Sequence, residues 1–365
     1  MTASDQVFVF IDSDVLRQDI DLDGLDWEYL RAYSQRTDAG VRLPNVVRLE
    51  VEKFIDDSLV RMAAQMASLH KQLLRHGVPP SPTGEGQDAL RWRQRAKTHF
   101  GERLEWLGAE LVPTPSTDND AIVRALLAER RPFSKGGDKG YRDYLIWKTV
   151  LSAGSGDLRN PATAHFITNN LKDFGPGGRL DADLSREAFL AGLSVRLHGG
   201  LREFTERVAR RALPVDEAAT VALGKDSELQ KLVPYVDSNL SEATVSECLE
   251  SFHVFESEVE RFVADWSLQD GEGGVFVPDP DDVWAELDGF QCIALREPSL
   301  VRSLGEYTVA FEALADLEVG IRTEGVLLGE REHDETWSEH TFKVGFTLDM
   351  SGAVPSPVGD VTLLA

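Results

Sequence analysis

An α/β fold is predicted for residues 1–212, with a doubly wound, mostly parallel sheet flanked by helices. Three observations predict this fold. Short runs rich in β-branched and aromatic residues alternate with longer segments of helical periodicity. The apolar runs are continuous, as in parallel strands that are buried on both faces. Polar residues follow these runs, and sites in such sheets gather at the carboxyl ends of the strands.

The elements of this domain follow one another from the N-terminus. QVFVFIDSDVL predicts a buried strand that ends in acids, DWEYLRAYSQR predicts a helix, and VRLPNVV predicts a short extended stretch. From Glu50, apolar residues at helical spacing predict one long amphipathic helix that stops at Gly77. We expect its apolar side chains, including Met62 and Met66, to fill the core.

The second half of the domain continues the alternation. Residues 88–107 predict a helix with a basic face, AELVPTP a short strand, and AIVRALLAERR and YRDYLIWKTVLSAG two further helices. TAHFITNN predicts a second buried strand with polar residues at its carboxyl end, and LSVRLHG predicts a third. REFTERVARRAL predicts the closing helix, which ends near Pro214.

A second domain is predicted for residues 213–365, because 365 residues exceed one ordinary domain. Residues 213–268 are expected to be helical, and residues 272–365 to be β-rich with antiparallel strands, which makes this an α+β region. The predicted strands are YTVAFEAL, DLEVGIRTEGVLL, HTFKVGFTLDM and DVTLLA. The segment REHDETWSEH predicts an acidic hairpin loop.

The net charge of −24 argues at first against a nucleic-acid role, because proteins that hold phosphates usually present a basic face. The distribution of the charge changes this conclusion. Residues 1–200 contain 28 acids and 26 bases, whereas residues 201–365 contain 34 acids and 12 bases. Residues 51–150 are mildly basic, with 16 bases against 13 acids. Only the C-terminal region is therefore expected to repel polyanions.

Four bases crowd into one part of the helix predicted over residues 88–107. They are Arg91, Arg93, Arg95 and Lys97. With Trp92 between them, they favour contact with a nucleic-acid backbone and a stacked base. Against this interpretation, alternate residues of a helix do not share one face.

Several other classes of protein do not fit the sequence. The longest apolar runs fall far short of the roughly 20 residues that a membrane-spanning helix needs. The N-terminal residues lack the basic region of a signal peptide, and their apolar stretch ends in acids. Two cysteines, Cys248 and Cys292, are too few for a disulfide framework. We therefore expect a cytoplasmic protein without a membrane partner.

Four acids stand at positions where carboxylates of this fold would meet. Asp12 ends the first strand, Glu50 begins the long helix, Asp143 lies in the first turn of YRDYLIW, and Asp173 follows TAHFITNN. Each alone has a simpler explanation as a helix cap or a solvated side chain. Together they favour a hard cation such as Mg²⁺ or Mn²⁺, because clustered carboxylates stay ionised only when a cation neutralises them. Such ions would activate water for phosphodiester hydrolysis.

These acids also lie in four segments that resemble the motifs of PIN-domain ribonucleases. The segments are VFIDSDVL, LPNVVRLEVEKF, KGYRDYLIW and HFITNNLKDF, which together span residues 6–174. The third and fourth look most like a PIN-like branch found in larger bacterial proteins with an additional C-terminal region. The resemblance implies that the four acids bind the metal and are catalytic, and that Asn170 supports the site by hydrogen bonding. It also implies 5′-phosphate and 3′-hydroxyl products.

The chain departs from the pattern at Asp14, where relatives often carry Asn. An added carboxylate there would either join the metal ligands or only raise the local charge. Asp138 is a rival for the third position, although the helical context favours Asp143. Lys139 and Arg142 are candidates for binding the scissile phosphate or, alternatively, for simple surface solvation.

The sequence thus predicts a metal-dependent endoribonuclease, with RNA favoured over DNA as the substrate. An alternative is a regulatory or interaction module whose acidic C-terminal region binds a basic partner or shields the nuclease cleft. A third interpretation is that the excess of acidic residues serves only the solubility of the protein. The expected partners are a nucleic acid, a basic protein or antitoxin-like regulator, and a second copy of the chain as a homodimer. Toxin, defence and RNA-processing roles all fit.

Overall fold

The structure is a computed structural model whose chain divides into two compact units, Met1–Leu213 and Pro214–Ala365. It describes residues 6–76, 89–133, 140–154, 158, 160–267, 283–304, 308–327, 330–351 and 356–364. Within these ranges, we find no helix with the length and apolar character that crossing a bilayer requires. Each unit is described separately.

The first unit contains a five-stranded parallel sheet with helices around it, which confirms the predicted fold class. The order of its strands across the sheet is β3-β2-β1-β4-β5. The strands are β1 (Val7–Ile11), β2 (Gly40–Pro44), β3 (Glu110–Val112), β4 (Ala162–Ile167) and β5 (Leu193–His198). The side chains of Phe8, Val9, Phe10 and Ile11 point alternately to the two faces and are all buried. Both faces of the central strand are therefore covered, as the continuous apolar run predicts.

Ten α-helices lie in the described part of this unit. They are α1 (Ser13–Leu16), α2 (Leu25–Thr37), α3 (Asn45–Arg75), α4 (Ala89–Leu107), α5 (Asn119–Leu127), α6 (Tyr141–Ala153), α7 (Leu171–Phe174), α8 (Ala182–Leu190), α9 (Leu201–Phe204) and α10 (Arg210–Ala212). A 3₁₀ turn spans Pro176–Gly178 and a π-helical turn spans Thr205–Ala209. Trp147 of α6 and Tyr29 of α2 are among the largest side chains of the core.

The strand order places a crevice at the carboxyl ends of β1 and β4. From β1 the chain builds β2 and β3 on one side, and it later builds β4 and β5 on the other. Ligands of doubly wound sheets bind where the strand order reverses in this way. Ile11 is paired with Ile167, and the backbone N–H of Asp12 donates to the Ile167 carbonyl oxygen over 2.9 Å. The residues that follow these two strands therefore lie side by side.

Helix α3 confirms the predicted long helix, although it begins at Asn45, directly after Pro44, and not at Glu50. It corrects the expectation about the apolar face of this helix. Val47, Val51 and Ile55 are buried, whereas Met62 and Met66 are each 48% exposed. The reason is length, because 31 residues of helix extend about 46 Å and a five-residue strand only about 17 Å. The second half of α3 therefore runs past the sheet and does not fill the core.

A pair of histidines, not anticipated from the sequence, lies inside the first unit. His165 of β4 and His198 of β5 are buried, with 2.9 Å between the Nδ1 atom of His165 and the Nε2 atom of His198. Burial lowers the pKa of His165 to about 3 and that of His198 to about 4. Both rings are therefore neutral near pH 7, and they pack edge-on against Phe204 as part of the core.

The second unit consists of helices followed by a four-stranded antiparallel sheet in the order β6-β7-β8-β9. The helices are α11 (Val215–Leu223), α12 (Asp226–Leu229), α13 (Val233–Asn239), α14 (Glu242–Ser251) and α15 (Val254–Ser267), with a 3₁₀ turn at Gln230–Leu232. The strands are β6 (Val283–Ser303), β7 (Thr308–Leu327), β8 (Glu330–Asp349) and β9 (Ser356–Leu364). The predicted helical and antiparallel character of this region is confirmed.

Three details of this sheet differ from the predictions. The sequence pattern does not predict strand β6, because register shifts such as that between Leu287 and Gly289 interrupt its alternation of apolar and polar residues. Two predicted strands form the single strand β7. The segment REHDETWSEH belongs to β8 and not to a loop. There Glu335 lies 3.7 Å from Arg322 of β7 and Asp334 lies 3.1 Å from Arg261 of α15, so ion pairs accommodate two of the acids that suggested a loop.

Candidate active site

Asp12 lies deepest in the crevice at the carboxyl end of β1. Its side chain is 3% exposed and caps helix α1, where Oδ1 accepts from the backbone N–H of Ser13 over 2.6 Å. Oδ2 accepts from the hydroxyl of Thr168 over 2.7 Å. Burial, together with the charge of Asp14, raises the pKa of Asp12 to about 7. A buried carboxylate of this kind is costly unless a cation neutralises it.

Thr168, a residue that the sequence does not single out, joins the two sides of the crevice. It directly follows β4, is fully buried, donates to Asp12, and accepts from the backbone N–H of Asn170 over 3.0 Å. The signal that identifies Asp12, a polar residue directly after a buried strand, applies equally to Thr168. Asn170 in turn donates from Nδ2 to Oδ2 of Asp173 over 2.5 Å, consistent with its expected supporting position.

Asp143 interacts electrostatically with the other candidate acids. It belongs to the first turn of α6, and its pKa is raised to about 6 by burial and by the charges of Asp173 and Glu50, while Arg142 opposes this shift. The charge of Asp143 in turn contributes to the raised pKa of Asp12. Asp14 acts on both Asp12 and Asp143 in the same way. These five acids are therefore electrostatically coupled to one another through Asp143, and we call them the acidic cluster.

Glu50 has a cationic neighbour that the sequence does not reveal. Its Oε1 atom lies 2.5 Å from Nη1 of Arg142, and its Oε2 atom lies 3.8 Å from Nη2 of Arg17. The side chain of Glu50 is 11% exposed, whereas that of Arg142 is 68% exposed. Arg142 therefore lies over a nearly buried acid at the mouth of the crevice. It can leave that acid by rotating into solvent.

Asp14, the departure from the family pattern, also belongs to the cluster. Burial raises its pKa, and backbone N–H groups of Asn169 and Val15 partly oppose the shift. Its Oδ1 atom is buried without a hydrogen-bond partner in the described part of the chain. A buried acceptor without a partner is unfavourable, and a bound cation would satisfy it. The added carboxylate thus fits a ligand better than a solvated surface charge.

The cluster provides the hard oxygen ligands that divalent cations prefer. In the present conformation the carboxylates do not converge, and among the described residues no three His, Cys, Asp or Glu side chains are arranged to hold one ion. Neighbouring side chains engage the carboxylates instead, with Thr168 at Asp12 and Arg142 at Glu50. Metal binding therefore requires rearrangement of side chains, chiefly that of Arg142.

Two candidate residues, one at the start of the third motif and one directly before it, lie outside the described residues. They are Lys139, the predicted phosphate-binding residue, and Asp138, the rival third acid. The following residue, Gly140, is the N-cap residue of α6 and has a φ of 108°. A Cβ atom there would lie 2.6 Å from the carbonyl oxygen of Pro132, so only glycine fits. This close approach positions the helix that carries Asp143.

The fold and the site together define a parallel α/β domain with a buried acidic cluster at its topological switch point. Residues 9–174 match the family model of the PIN domain, which confirms the resemblance that the four sequence motifs show. PIN domains typically are nucleases that act on nucleic acids, and they generally use divalent metal ions. No curated protein and no solved structure matches the chain.

Proposed function

We propose that this protein is a metal-dependent endonuclease that hydrolyses phosphodiester bonds, with RNA as its preferred substrate. The observation that carries the proposal is the group of five acids that includes Asp143, with Asp12 buried and Asp14 partly buried at the switch point. Such a cluster carries a high electrostatic cost, which a bound cation would offset. It is the arrangement expected of a site that holds cations and phosphates.

We assign the ligands of a divalent ion, Mg²⁺ or Mn²⁺, to the carboxylates of Asp12, Asp14, Glu50, Asp143 and Asp173. When bound, the ion would supply water activation and neutralisation of charge on the phosphate. Thr168 holds the carboxylate of Asp12 in its orientation, and Asn170 does the same for Asp173. Arg142 is free to rotate from Glu50 towards a phosphate oxygen, which its guanidinium matches in geometry.

The test is cleavage of mixed single-stranded RNA and DNA by the purified full chain with Mn²⁺, Mg²⁺ or EDTA. We expect metal-dependent cleavage that leaves 5′-phosphate ends, is faster on RNA, and is lost in Asp143→Asn. Asp120→Asn, which removes an exposed acid of α5, is the matched control and should keep full activity. An active Asp143→Asn protein would refute the site, and faster cleavage of DNA would refute the substrate preference.

Arg142 provides a separate prediction about metal binding. Its guanidinium occupies a carboxylate oxygen of Glu50 that a divalent ion would use, so the two cations compete. Arg142→Gln is expected to tighten Mn²⁺ binding by about five- to tenfold, corresponding to roughly 1 kcal/mol. Titration calorimetry without nucleic acid measures this affinity. Arg186→Gln, an exposed site on α8, should leave it unchanged. Weaker binding in Arg142→Gln would show that Arg142 supports the metal site.

The charge of residues 214–365, with 32 acids and 8 bases, favours a second role for the C-terminal unit. We propose that it shields the nuclease cleft from polyanions or docks a basic partner. A chain truncated after Leu213, at the boundary between the units, is expected to bind RNA more tightly than the full chain. Equal affinity would argue against shielding.

A further inference from the structure

One stretch of the first unit is strongly basic in an otherwise acidic chain. It comprises residues 58–76, which end α3, and residues 89–101, which begin α4; we call it the α3–α4 arm. These residues contain seven lysines and arginines and no acid. The connecting residues 77–88, which the structure does not describe, add Glu85 and Asp88, so that residues 58–101 keep a net charge of +5.

The arm continues the helix that carries one of the site acids. Glu50 lies near the start of α3, and at 1.5 Å per residue Arg61 lies about 16 Å further along the helix and Arg75 about 37 Å. The Nζ atom of Lys97 lies 2.7 Å from Oδ2 of Asp56, which fixes α4 against α3 near the site. The two helices of the arm therefore lie against each other near the crevice, and α3 extends away from it.

The bases of α4 divide into two groups in the structure. Arg93 and Lys97 are half-buried, and Lys97 is engaged by Asp56. Arg91 and Arg95 are exposed and lie one turn apart, so they share one face. At the end of α3, residues 71 and 75 are a lysine and an arginine that form a second exposed pair with the same spacing. The arm thus presents two outward-facing basic pairs and not one alternating row.

We infer that the α3–α4 arm binds the phosphate backbone of the nucleic acid and guides it to the acidic crevice. This inference rests on the proposed nuclease function and extends it by naming a binding surface outside the site. The acidic cluster repels phosphates, and the whole chain carries a charge of −24, so an approaching polyanion needs a local region of positive potential. The arm supplies this region on the helix that carries Glu50.

The arm also carries partly exposed apolar side chains on α3. They are Met62, Met66, Leu69 and Leu73. A protein partner or a second copy would use this apolar row, whereas a polynucleotide would depend on the exposed arginines and lysines. Binding of a polynucleotide would depend on the charged residues, and binding of a protein would depend on the apolar residues. Substitution of the charged residues alone therefore distinguishes the two kinds of occupant.

The experiment measures binding of a fluorescein-labelled, mixed-sequence single-stranded RNA to the full chain in EDTA, by fluorescence anisotropy at several salt concentrations. One variant is Arg91→Gln/Arg95→Gln and a second is Lys71→Gln/Arg75→Gln. The control is Arg186→Gln/Arg211→Gln, which removes two exposed arginines outside the arm. Circular dichroism confirms that each protein is folded. Because no metal is present, binding is measured apart from cleavage.

Each arm variant is expected to weaken RNA binding about tenfold. It should also lower the slope of log Kd against log salt by about 1.4, or roughly 0.7 for each phosphate that the protein no longer neutralises. The control should stay within about twofold of the unaltered protein. In the cleavage assay, the arm variants should raise KM and leave kcat unchanged.

Three outcomes would overturn the inference: equal losses in the arm and control variants, unchanged binding in both arm variants, or no RNA binding by the unaltered protein. Failure of the nuclease proposal would look different, because Asp143→Asn would then affect neither cleavage nor binding while the arm variants still bound RNA more weakly. If Met66→Ser/Leu73→Ser changed the molecular mass in light scattering while the arm variants bound RNA normally, a second copy and not a polynucleotide would occupy the arm.

Discussion

Replacement of Asp12 by Asn is expected to abolish cleavage and, at the same time, to stabilise the protein in EDTA. The side chain is 3% exposed and carries its charge among other acids, so its ionised form is unfavourable in the folded state. Asn has nearly the same shape. Its oxygen can accept from the Ser13 N–H, and its amide can donate to the Thr168 hydroxyl, so both contacts of Asp12 can be kept.

The sign of the effect of pH follows from the shifted pKa. Burial and Asp14 raise the pKa of Asp12 from its ordinary value of 3.8 to about 7. Between these values the folded state binds more protons than the unfolded state, so the stability contributed by this group falls as the pH rises. The advantage of Asp12→Asn is therefore expected to grow over this range and to reach on the order of 2 kcal/mol above it.

Scanning calorimetry of the full chain in EDTA, at acidic and mildly alkaline pH, measures this difference. For a unit of this size, about 2 kcal/mol corresponds to roughly 4–8 °C in the melting temperature. Cleavage should fall by at least about a thousandfold, because an essential ligand is removed. Asp120→Asn should change neither quantity. A destabilised Asp12→Asn protein would mean that the carboxylate serves the fold rather than a site.

The strands and the acids that follow them are predictable because both depend on local pattern. Val7–Ile11 and Ala162–Ile167 are continuous apolar runs, and the parallel arrangement brings their carboxyl ends together. A polar residue directly after such a run must then lie at the crevice. The local pattern alone therefore predicts that Asp12 and the polar residues that follow β4 lie at the same edge of the sheet.

The contacts among the side chains are not predictable, because they join residues far apart in the sequence. Thr168 and Asp12 are separated by 156 positions, and nothing near Glu50 indicates that Arg142 will lie over it. The exposure of the end of α3 is also not predictable from the local sequence, because it depends on the tertiary arrangement. Met66 repeats the helical spacing of Val51, but burial depends on where the sheet ends and not on the spacing.

Gly175→Ala is expected to displace Asp173, although Gly175 is not itself one of the candidate site residues. Gly175 directly follows α7, and a Cβ atom there would lie 1.8 Å from the carbonyl oxygen of Arg179 and 2.8 Å from the backbone nitrogen of Asp181. Both clashes are with backbone atoms, which cannot relieve a clash by rotating as a side chain can. Its φ of 172° is open to any residue, so the expected loss is steric. The turn must move, and Asp173 with it.

Gly177→Ala in the same turn is the matched control. Its φ is 64°, but a Cβ atom there meets nothing within 4 Å, so the expected loss is only about 1 kcal/mol of backbone strain. Gly175→Ala should lower the free energy of unfolding by at least about 3 kcal/mol, as severe overpacking does. It should also reduce cleavage, because the 2.5 Å contact between Asn170 and Asp173 depends on this turn. Calorimetry and the cleavage assay measure the two losses. If the two glycine variants behaved alike, the close approach to Arg179 would not constrain the turn, and Asp173 would be held by Asn170 alone.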